Sequence, residues 1–289
     1  MPQATVDNSL IYDVGAHNGS DTAFYLKKGF HVIAIEAIPE FCSALKEKFS
    51  EYVASGHLNV LNLAVSGTTG HVDFYVYDNA SAQGTANPDW VKRNITLGRG
   101  TARKISVSSA GLADIMKEHG IPRYCKIDIE GNDLEALATL EGLAEKPKFV
   151  SIESENKEWN KLLEEFDVFE RLGYSKFKVI DQSFVPRQKC PASPSEGRFV
   201  THTFDWWCSG LFGDELPGRW LDMYEALEAY KNIFRGYALY GDDGIFSGRL
   251  KFYDLVGKMH QLSMRMRGHK DYRLVQSPHA GWYDTHASR

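Results

Sequence analysis

The chain has 289 residues, 43% hydrophobic and 25% charged, with a formal net charge of -5, a balance that excludes a disordered chain and argues against a generic nucleic-acid surface. Cys42, Cys125, Cys190 and Cys208 form no C-x-x-C pair, so neither a disulfide frame nor a zinc site is expected. No stretch approaches the roughly 20 apolar residues of a bilayer span and the first ten residues lack a signal peptide's basic and apolar regions, so a cytoplasmic protein is expected.

The run Ile11-Tyr12-Asp13-Val14-Gly15-Ala16-His17-Asn18-Gly19-Ser20-Asp21-Thr22 passes from a strand pattern through a glycine turn into a helix start. Gly15 and Gly19 bracket a tight turn at which backbone can approach a ligand, and Ser20 or Asp21 can cap the helix that follows. The next apolar run, His31 to Ile35, ends in Glu36, 17 residues after Gly19. A carboxylate at the tip of a second strand can accept hydrogen bonds from both hydroxyls of an adenosine ribose. The dinucleotide fingerprint G-x-G-x-x-G does not fit, because His17 and Ser20 stand at its second and third glycine positions. NAD is therefore disfavoured, and S-adenosylmethionine, which has an adenosine but no pyrophosphate, fits better.

Further along, Pro39 opens a helix with Phe41, Leu45, Phe49 and Val53 on one stripe, and Leu58 to Val65 reads as a third buried strand. After a turn at 67–70, the alternating run His71 to Tyr77 reads as an additional strand. The polar segment from Asp78 to Lys104 reads as a mobile loop beside the ligand crevice, either disordered or a lid. Ile105 to Val107 restores order and is followed by a helix through Leu112, Ile115 and Met116.

The run Tyr124-Cys125-Lys126-Ile127-Asp128-Ile129-Glu130-Gly131 is expected to lie beside the first strand in a doubly wound sheet, with its end facing the glycine turn. Asp128 and Glu130 alternate with apolar residues and so share one face near the strand's mouth. Asn132 is expected to cap a helix carrying Leu134, Leu137 and Leu140, and Phe149 to Glu153 makes a fifth strand that again ends in an acid. A helix through Leu162, Phe166, Phe169 and Leu172 leads to a sixth strand, Lys176 to Ile180. Phe199 to Trp207 is read as the last strand, antiparallel in a hairpin with the sixth, and the chain beyond Ser209 as helical. The expected division is a cofactor-binding core over 1–209 and a helical extension over 210–289. From Arg235 to Arg289, nine Lys and Arg face five Asp and Glu, giving +4, which reads as a solvated helix face or a site for an anionic partner.

Asp13-Val14-Gly15-Ala16-His17-Asn18-Gly19, Glu36 with Pro39, Asn62-Leu63-Ala64-Val65-Ser66 and Lys126-Ile127-Asp128-Ile129-Glu130-Gly131 resemble the FkbM-type methyltransferases from about Leu10 to Ile180. The resemblance implies an α/β class I methyltransferase (Rossmann-like) fold, a mostly parallel seven-stranded sheet with an antiparallel last strand. It also implies S-adenosylmethionine as donor and a hydroxyl of a sugar, glycan, glycolipid or natural product as acceptor. In and beside these motifs the expected cofactor positions are Asp13, Gly15, Ala16, His17, Asn18, Gly19, Thr22, Glu36, Ala37, Ala64 and Asp128.

Because the sulfonium activates the methyl carbon, the protein chiefly has to align the reacting atoms, while an alcohol acceptor also benefits from a general base. Asp128, Glu130 and Glu153 are the candidates, Asp128 first by position; alternatively Asp128 binds the cofactor's ammonium and Glu130 caps the next helix. A divalent metal held by an acid, an Asp and Asn156 of Glu155-Asn156 is a lesser alternative. His279, Asp284 and His286 can serve as base or ligands, but a polar, partly exposed tail is the reading preferred, and His202 reads as structural. The rival functions are a nucleic-acid methyltransferase using the basic C-terminal segment and a non-catalytic cofactor-binding scaffold.

Overall fold

The computed structural model describes residues 5–77, 84–96, 101–240, 259, 262, 266 and 282–289. Its main sheet is built from β1 (Val6–Val14), β2 (His31–Glu36), β3 (Leu58–Asn62), β7 (Ile121–Ile127), β8 (Phe149–Glu153), β9 (Lys176–Asp181) and β10 (Tyr283–Ser288). They lie in the order β3-β2-β1-β7-β8-β10-β9. The pairs among β3, β2, β1, β7 and β8 are parallel, and β10 runs antiparallel to both β8 and β9. This is the expected class I methyltransferase sheet, and its strand order reverses direction at β1, where the crevice outside the strand ends opens.

Parallel strands buried on both faces need apolar runs, and each face has its own core. Tyr12 and Val14 of β1 pack with Ile115, Leu137, Phe166 and Phe169 on one side. Ile11 packs with Phe24, Leu26, Leu45 and Phe212 on the other. On the first side lie α5 (Leu112–His119), α6 (Asp133–Thr139), α7 (Trp159–Arg171) and α8 (Met223–Tyr240); on the second lie α1 (Ser20–Lys27) and α2 (Pro39–Lys48). The short α3 (Ser50–Ala54) continues α2 after a break at Phe49 and leaves Val53, the last residue of the expected stripe, exposed.

Four elements depart from expectation. The third strand splits, because Leu63 N donates to Glu36 O and the Asn62 amide donates to Glu36 O and Ala37 O, turning the chain at Leu63. Ala64–Val65, β4, then joins β5 (Gly70–Tyr77) and β6 (Ala102–Ala110) in a separate three-stranded sheet. Within the segment read as a loop, Pro88–Thr96 is helix α4, and the last residues fall in β6; residues 78–83 and 97–100 lie outside the described ones.

Phe199 to Trp207 forms no strand. It supplies Phe204 to the core, and Asp205 accepts from Trp207 N in a turn, while the closing antiparallel strand is β10. The chain beyond 209 therefore supplies a strand to the core sheet as well as α8, and the polar tail expected at Asp284 and His286 is buried. Tyr283, Thr285 and Ala287 share one face of β10, where Thr285 Oγ1 lies 2.7 Å from Ser154 Oγ and 2.6 Å from Tyr230 OH. His286, on the other face, stacks on Tyr124, and burial pushes its pKa down to about 3. His279 and most of the basic C-terminal segment lie outside the described residues.

Candidate active site

The glycine turn sits where β1 ends. Gly15 N and Ala16 N both donate to Ile35 O, and Asp128 N donates to Val14 O, so β2 and β7 hold the turn from either side. Gly15 has a φ of 81°, and a Cβ there would come within 1.9 Å of Asp128 O. Only glycine allows the two strand ends to approach this closely.

Two cavities meet at this turn. The first is a narrow slot of about 60 Å³ lined by Gly15, His17, Glu36, Ala37, Ala64, Asp128 and Glu130, with Ile38, Leu63, Val65 and Phe74 as apolar walls. Glu36 is its buried carboxylate; Oε2 accepts from His17 N at 2.8 Å and Oε1 from Ile38 N at 2.9 Å. Burial raises its pKa against the pull of those two donors. Each oxygen retains a further lone pair, so a ribose can still be held, and the apolar walls suit an adenine. The donor set therefore fits an adenosine-bearing cofactor.

The second cavity is a wider cleft of about 540 Å³ lined by Gly15, Ala16, His17, Asn18, Asp128, Glu130 and Glu153 together with residues that the motifs did not mark. Four tryptophans, Trp90, Trp206, Trp207 and Trp282, line it with Tyr237 of α8, Asn156 and Gln182. Trp206 and Trp207 are 63% and 60% exposed, large aromatic faces left open to the cleft. Its ionisable lining comprises the acids Asp21, Asp128, Glu130, Glu153 and Asp284 against Lys126 and Lys157, with His17 between the cavities.

Beneath the turn lies Lys126. Its Nζ is 3.4 Å from Asp128 and 3.5 Å from each of Asp13 and Asp21, with Gly15 O at 3.4 Å. Burial alone would push this amine down, but Asp128, Asp13 and Asp21 outweigh it and hold its pKa well above the usual lysine value. Asp13 also accepts from Thr22 Oγ1 at 2.5 Å, and Asp21 accepts from Ser209 N through both oxygens. Asp13, Thr22 and Gly19, expected among cofactor contacts, reach neither cavity: the first two are fully buried, and Gly19 packs against Leu45 and Phe49.

The loop after β7 is held in an unusual conformation. Glu130 has a φ of 55°, in the left-handed region, and Gly131 follows with 94°. Thr85 Oγ1 donates to Glu130 O at 2.7 Å, Asn87 Nδ2 donates to Gly131 O at 2.9 Å, and Trp90 lies where a Cβ on Gly131 would stand. The described part of the polar insert is thus docked on this loop. Asn132 makes no side-chain cap; the Asp133 carboxylate instead accepts from Ile129 N and Gly131 N, its pKa pushed up to about 7 by burial and by Asp128.

Glu153 lies at the end of β8, its pKa held well above the usual range by burial and then by Asp128, Glu130, Asp133 and Asp284. Glu155 is turned away, since its Oε1 accepts from the backbone of Asn156, Lys157 and Glu158. Among the described residues no three His, Cys, Asp or Glu are grouped as metal ligands. No helix among them is long and apolar enough to cross a membrane.

Sequence reasoning missed Asp21, Lys126 and Trp90 as lining residues, and it named Asp284 as a base or ligand but preferred a partly exposed tail, which its burial in β10 overturns. Lys126 carried a signal, because a lysine two positions before Asp128 must share its strand face and so meet the same crevice.

The model of the methyltransferase FkbM domain matches residues 13–176, more than half of the chain. The chain belongs to the FkbM methyltransferase family. No curated protein matches it. Among solved structures it is similar to the methyltransferase FkbM of Methylobacillus flagellatus KT, at 18% identity and a TM-score of 0.40 over 62% of this chain. That match spans only 41% of the Methylobacillus protein. A methyltransferase of Geobacter sulfurreducens in complex with S-adenosyl-L-homocysteine is 12% identical, with a TM-score of 0.36 over 99% of this chain and 86% of its own. The precorrin-6y C5,15-methyltransferase of Geobacter metallireducens is 13% identical, with a TM-score of 0.34 over 61% of this chain and 69% of its own. The FkbM match and the strand order, rather than these likenesses, carry the assignment.

Proposed function

We propose that this FkbM family member transfers a methyl group from S-adenosylmethionine to a hydroxyl of a sugar, glycan, glycolipid or natural product. The observation that carries this reading is the junction of two unlike cavities at Gly15: an apolar slot with one carboxylate, and an aromatic, acid-lined cleft. S-adenosylmethionine, when bound, supplies an electrophilic methyl group. Glu36 and the slot walls hold an adenosine, and Gly15, Ala16, His17 and Asn18 border the point at which the cavities meet.

Asp128 lines both cavities, and its ion pair with Lys126 fixes its direction. It can hold a cofactor ammonium or accept a hydroxyl proton. The tryptophans offer broad apolar faces to the C–H face of a sugar ring or to a flat aliphatic skeleton, while Asn156 and Gln182 offer amides to its hydroxyls. Five acids against two lysines disfavour an anionic acceptor such as nucleic acid.

Thermal unfolding with S-adenosylmethionine, its demethylated product or NAD tests the donor. At 100 times the dissociation constant, a true ligand adds about 2.7 kcal/mol, several degrees for a domain of this size. A shift with NAD alone sinks the reading. A mass-spectrometric survey of candidate hydroxyl compounds with methyl-labelled donor then tests the acceptor class; label appearing only in nucleic acid would replace it.

A further inference from the structure

Glu153 and Asp284 stand directly opposite each other where β8 and β10 pair. Ser154 N donates to Tyr283 O at 2.9 Å, the bond that flanks a non-hydrogen-bonded pair in an antiparallel ladder. Cα atoms in such a pair lie about 4.5 Å apart, the closer of the two alternatives, with side chains on the same face. Both residues line the aromatic cleft that also contains Gly15 and Asp128.

The other acids here have partners. Asp13, Asp21 and Asp128 share Lys126, and Asp133 takes the backbone of Ile129 and Gly131. Asp284 is only 7% exposed, and among the described residues its carboxyl has neither hydrogen bond nor ion pair. An acid with little exposure, its carboxyl open to the cleft rather than held by protein partners and set against a second acid, is placed to meet a ligand rather than to fill the core.

Resting on the methyl-transfer reading, we infer that Glu153 and Asp284 form a catalytic pair that accepts the proton of the acceptor hydroxyl. Two acids paired across β8 and β10 on one desolvated cleft wall, with Asp128 beside both, cannot both ionise easily, so the pair holds one proton and one negative charge. The surroundings reinforce this: Asp128, Glu130 and Asp133 face Glu153, while Asp128, Asp21 and Asp133 face Asp284 with Lys126 opposing them. Lys157 lines the same cleft. As the acceptor oxygen bonds the methyl carbon and the carbon–sulfur electron pair remains on sulfur, the hydroxyl proton passes to the ionised carboxyl. The pair becomes neutral as the sulfonium charge disappears, and loss of the proton to the open cleft restores it.

The test uses the full chain with Asp284→Asn, Glu153→Gln and the double variant. Each single variant is expected to lower kcat about 100-fold or more with donor affinity, measured by calorimetry, within threefold of the parent, and the double variant to fall far short of the product of the two. A readout independent of turnover is the carboxyl-¹³C titration of the parent protein, assigned by the loss of a signal in each variant. One of the two carboxyls should remain protonated at pH 7. Thermal midpoints of the single variants should also rise relative to the parent at pH 8 but not at pH 4, since an amide carries no buried charge. Two carboxyls that ionise independently in the usual range overturn the pair, as does a kcat loss below threefold in both single variants. If one variant fails to fold, the folded one still assigns its carboxyl in the parent spectrum, and a two-step rather than a single-step titration of that signal decides between shared and independent ionisation. If the parent titrates as a pair but methylates no hydroxyl compound, the function reading falls while the proton-sharing pair is upheld.

Discussion

Lys126 and Asp128, two residues apart at the end of β7, form an ion pair of 3.4 Å at the point where the two cavities meet. Asp128 is half exposed there, whereas Asp13 and Asp21, the other carboxylates on Lys126, are buried. Replacing Lys126 by Met leaves those two without their cation, and breaking a buried pair costs about 3 to 5 kcal/mol. Lys126→Met should therefore lose about that much stability in urea denaturation at pH 7. A loss below about 1 kcal/mol would show that the carboxyls take up protons instead.

Glu36 has two duties in the structure. It accepts from His17 N and Ile38 N, and it is the acid of the narrow slot. Glu36→Ala should weaken S-adenosylmethionine binding about 10- to 100-fold, since charged hydrogen bonds contribute roughly 1.5 to 3 kcal/mol. The same variant should also lose about 1 to 3 kcal/mol of stability through the unpaired backbone donors. Calorimetry and denaturation on one sample separate the effects, and unchanged donor affinity would remove Glu36 from the site.

Much of this arrangement was legible in the sequence. The strands β2 and β8 are near-continuous apolar runs, as sheets covered on both faces require, β1, β7 and β9 carry shorter apolar stretches among polar residues, and acids at the ends of β2 and β8 marked the crevice. β10 was not legible because its six residues, Tyr-Asp-Thr-His-Ala-Ser, alternate polar groups that find partners inside the protein: Thr285 with Ser154 and Tyr230, and His286 on Tyr124. Phe199 to Trp207 misled in the opposite direction, since its aromatics have strand-like density yet serve as cleft wall and helix packing. Helix α4 was hidden because its nine residues are mostly polar, and the packing of Trp90 against Gly131 is a tertiary relation that the segment alone does not show.

That relation can be tested. Trp90 lines the aromatic cleft and sits against Gly131, so Trp90→Ala should open the acceptor side while sparing the narrow slot. The expected result is an acceptor KM raised about 10-fold or more with donor affinity within twofold, in keeping with the loss of one buried aromatic contact. Gly131→Ala should be worse, because its φ of 94° and the indole behind it both exclude a Cβ. Equal acceptor KM values in parent and Trp90→Ala would place the acceptor elsewhere.

Glu165, on α7, gives a pH signature away from the chemistry. Its Oε1 accepts from Glu155 N, its Oε2 is buried without a partner, and burial pushes its pKa up to about 8. Because the folded carboxyl binds its proton more tightly than the unfolded one, the folded state holds more protons between about pH 4.5 and pH 8. Stability from this group is thus full below that window and declines as pH rises through it. Glu165→Gln removes the titration, so its stability relative to the parent should increase by a few kcal/mol from pH 4.5 to pH 8 and then level off. A difference constant with pH would mean that Glu165 ionises normally.

The insertion of β10 between β8 and β9 sets a timetable for synthesis. A ribosome that has finished β9 must still add about a hundred residues before β10 exists, roughly 5 to 20 s at ordinary elongation rates. For that interval the strands destined to flank β10 have unsatisfied edges facing each other, the kind of edge that recruits chaperones or pairs with another nascent chain. Asp284 is made in the same closing step, so donor-binding surfaces can be assembled on a nascent chain before the cleft receives its last acid.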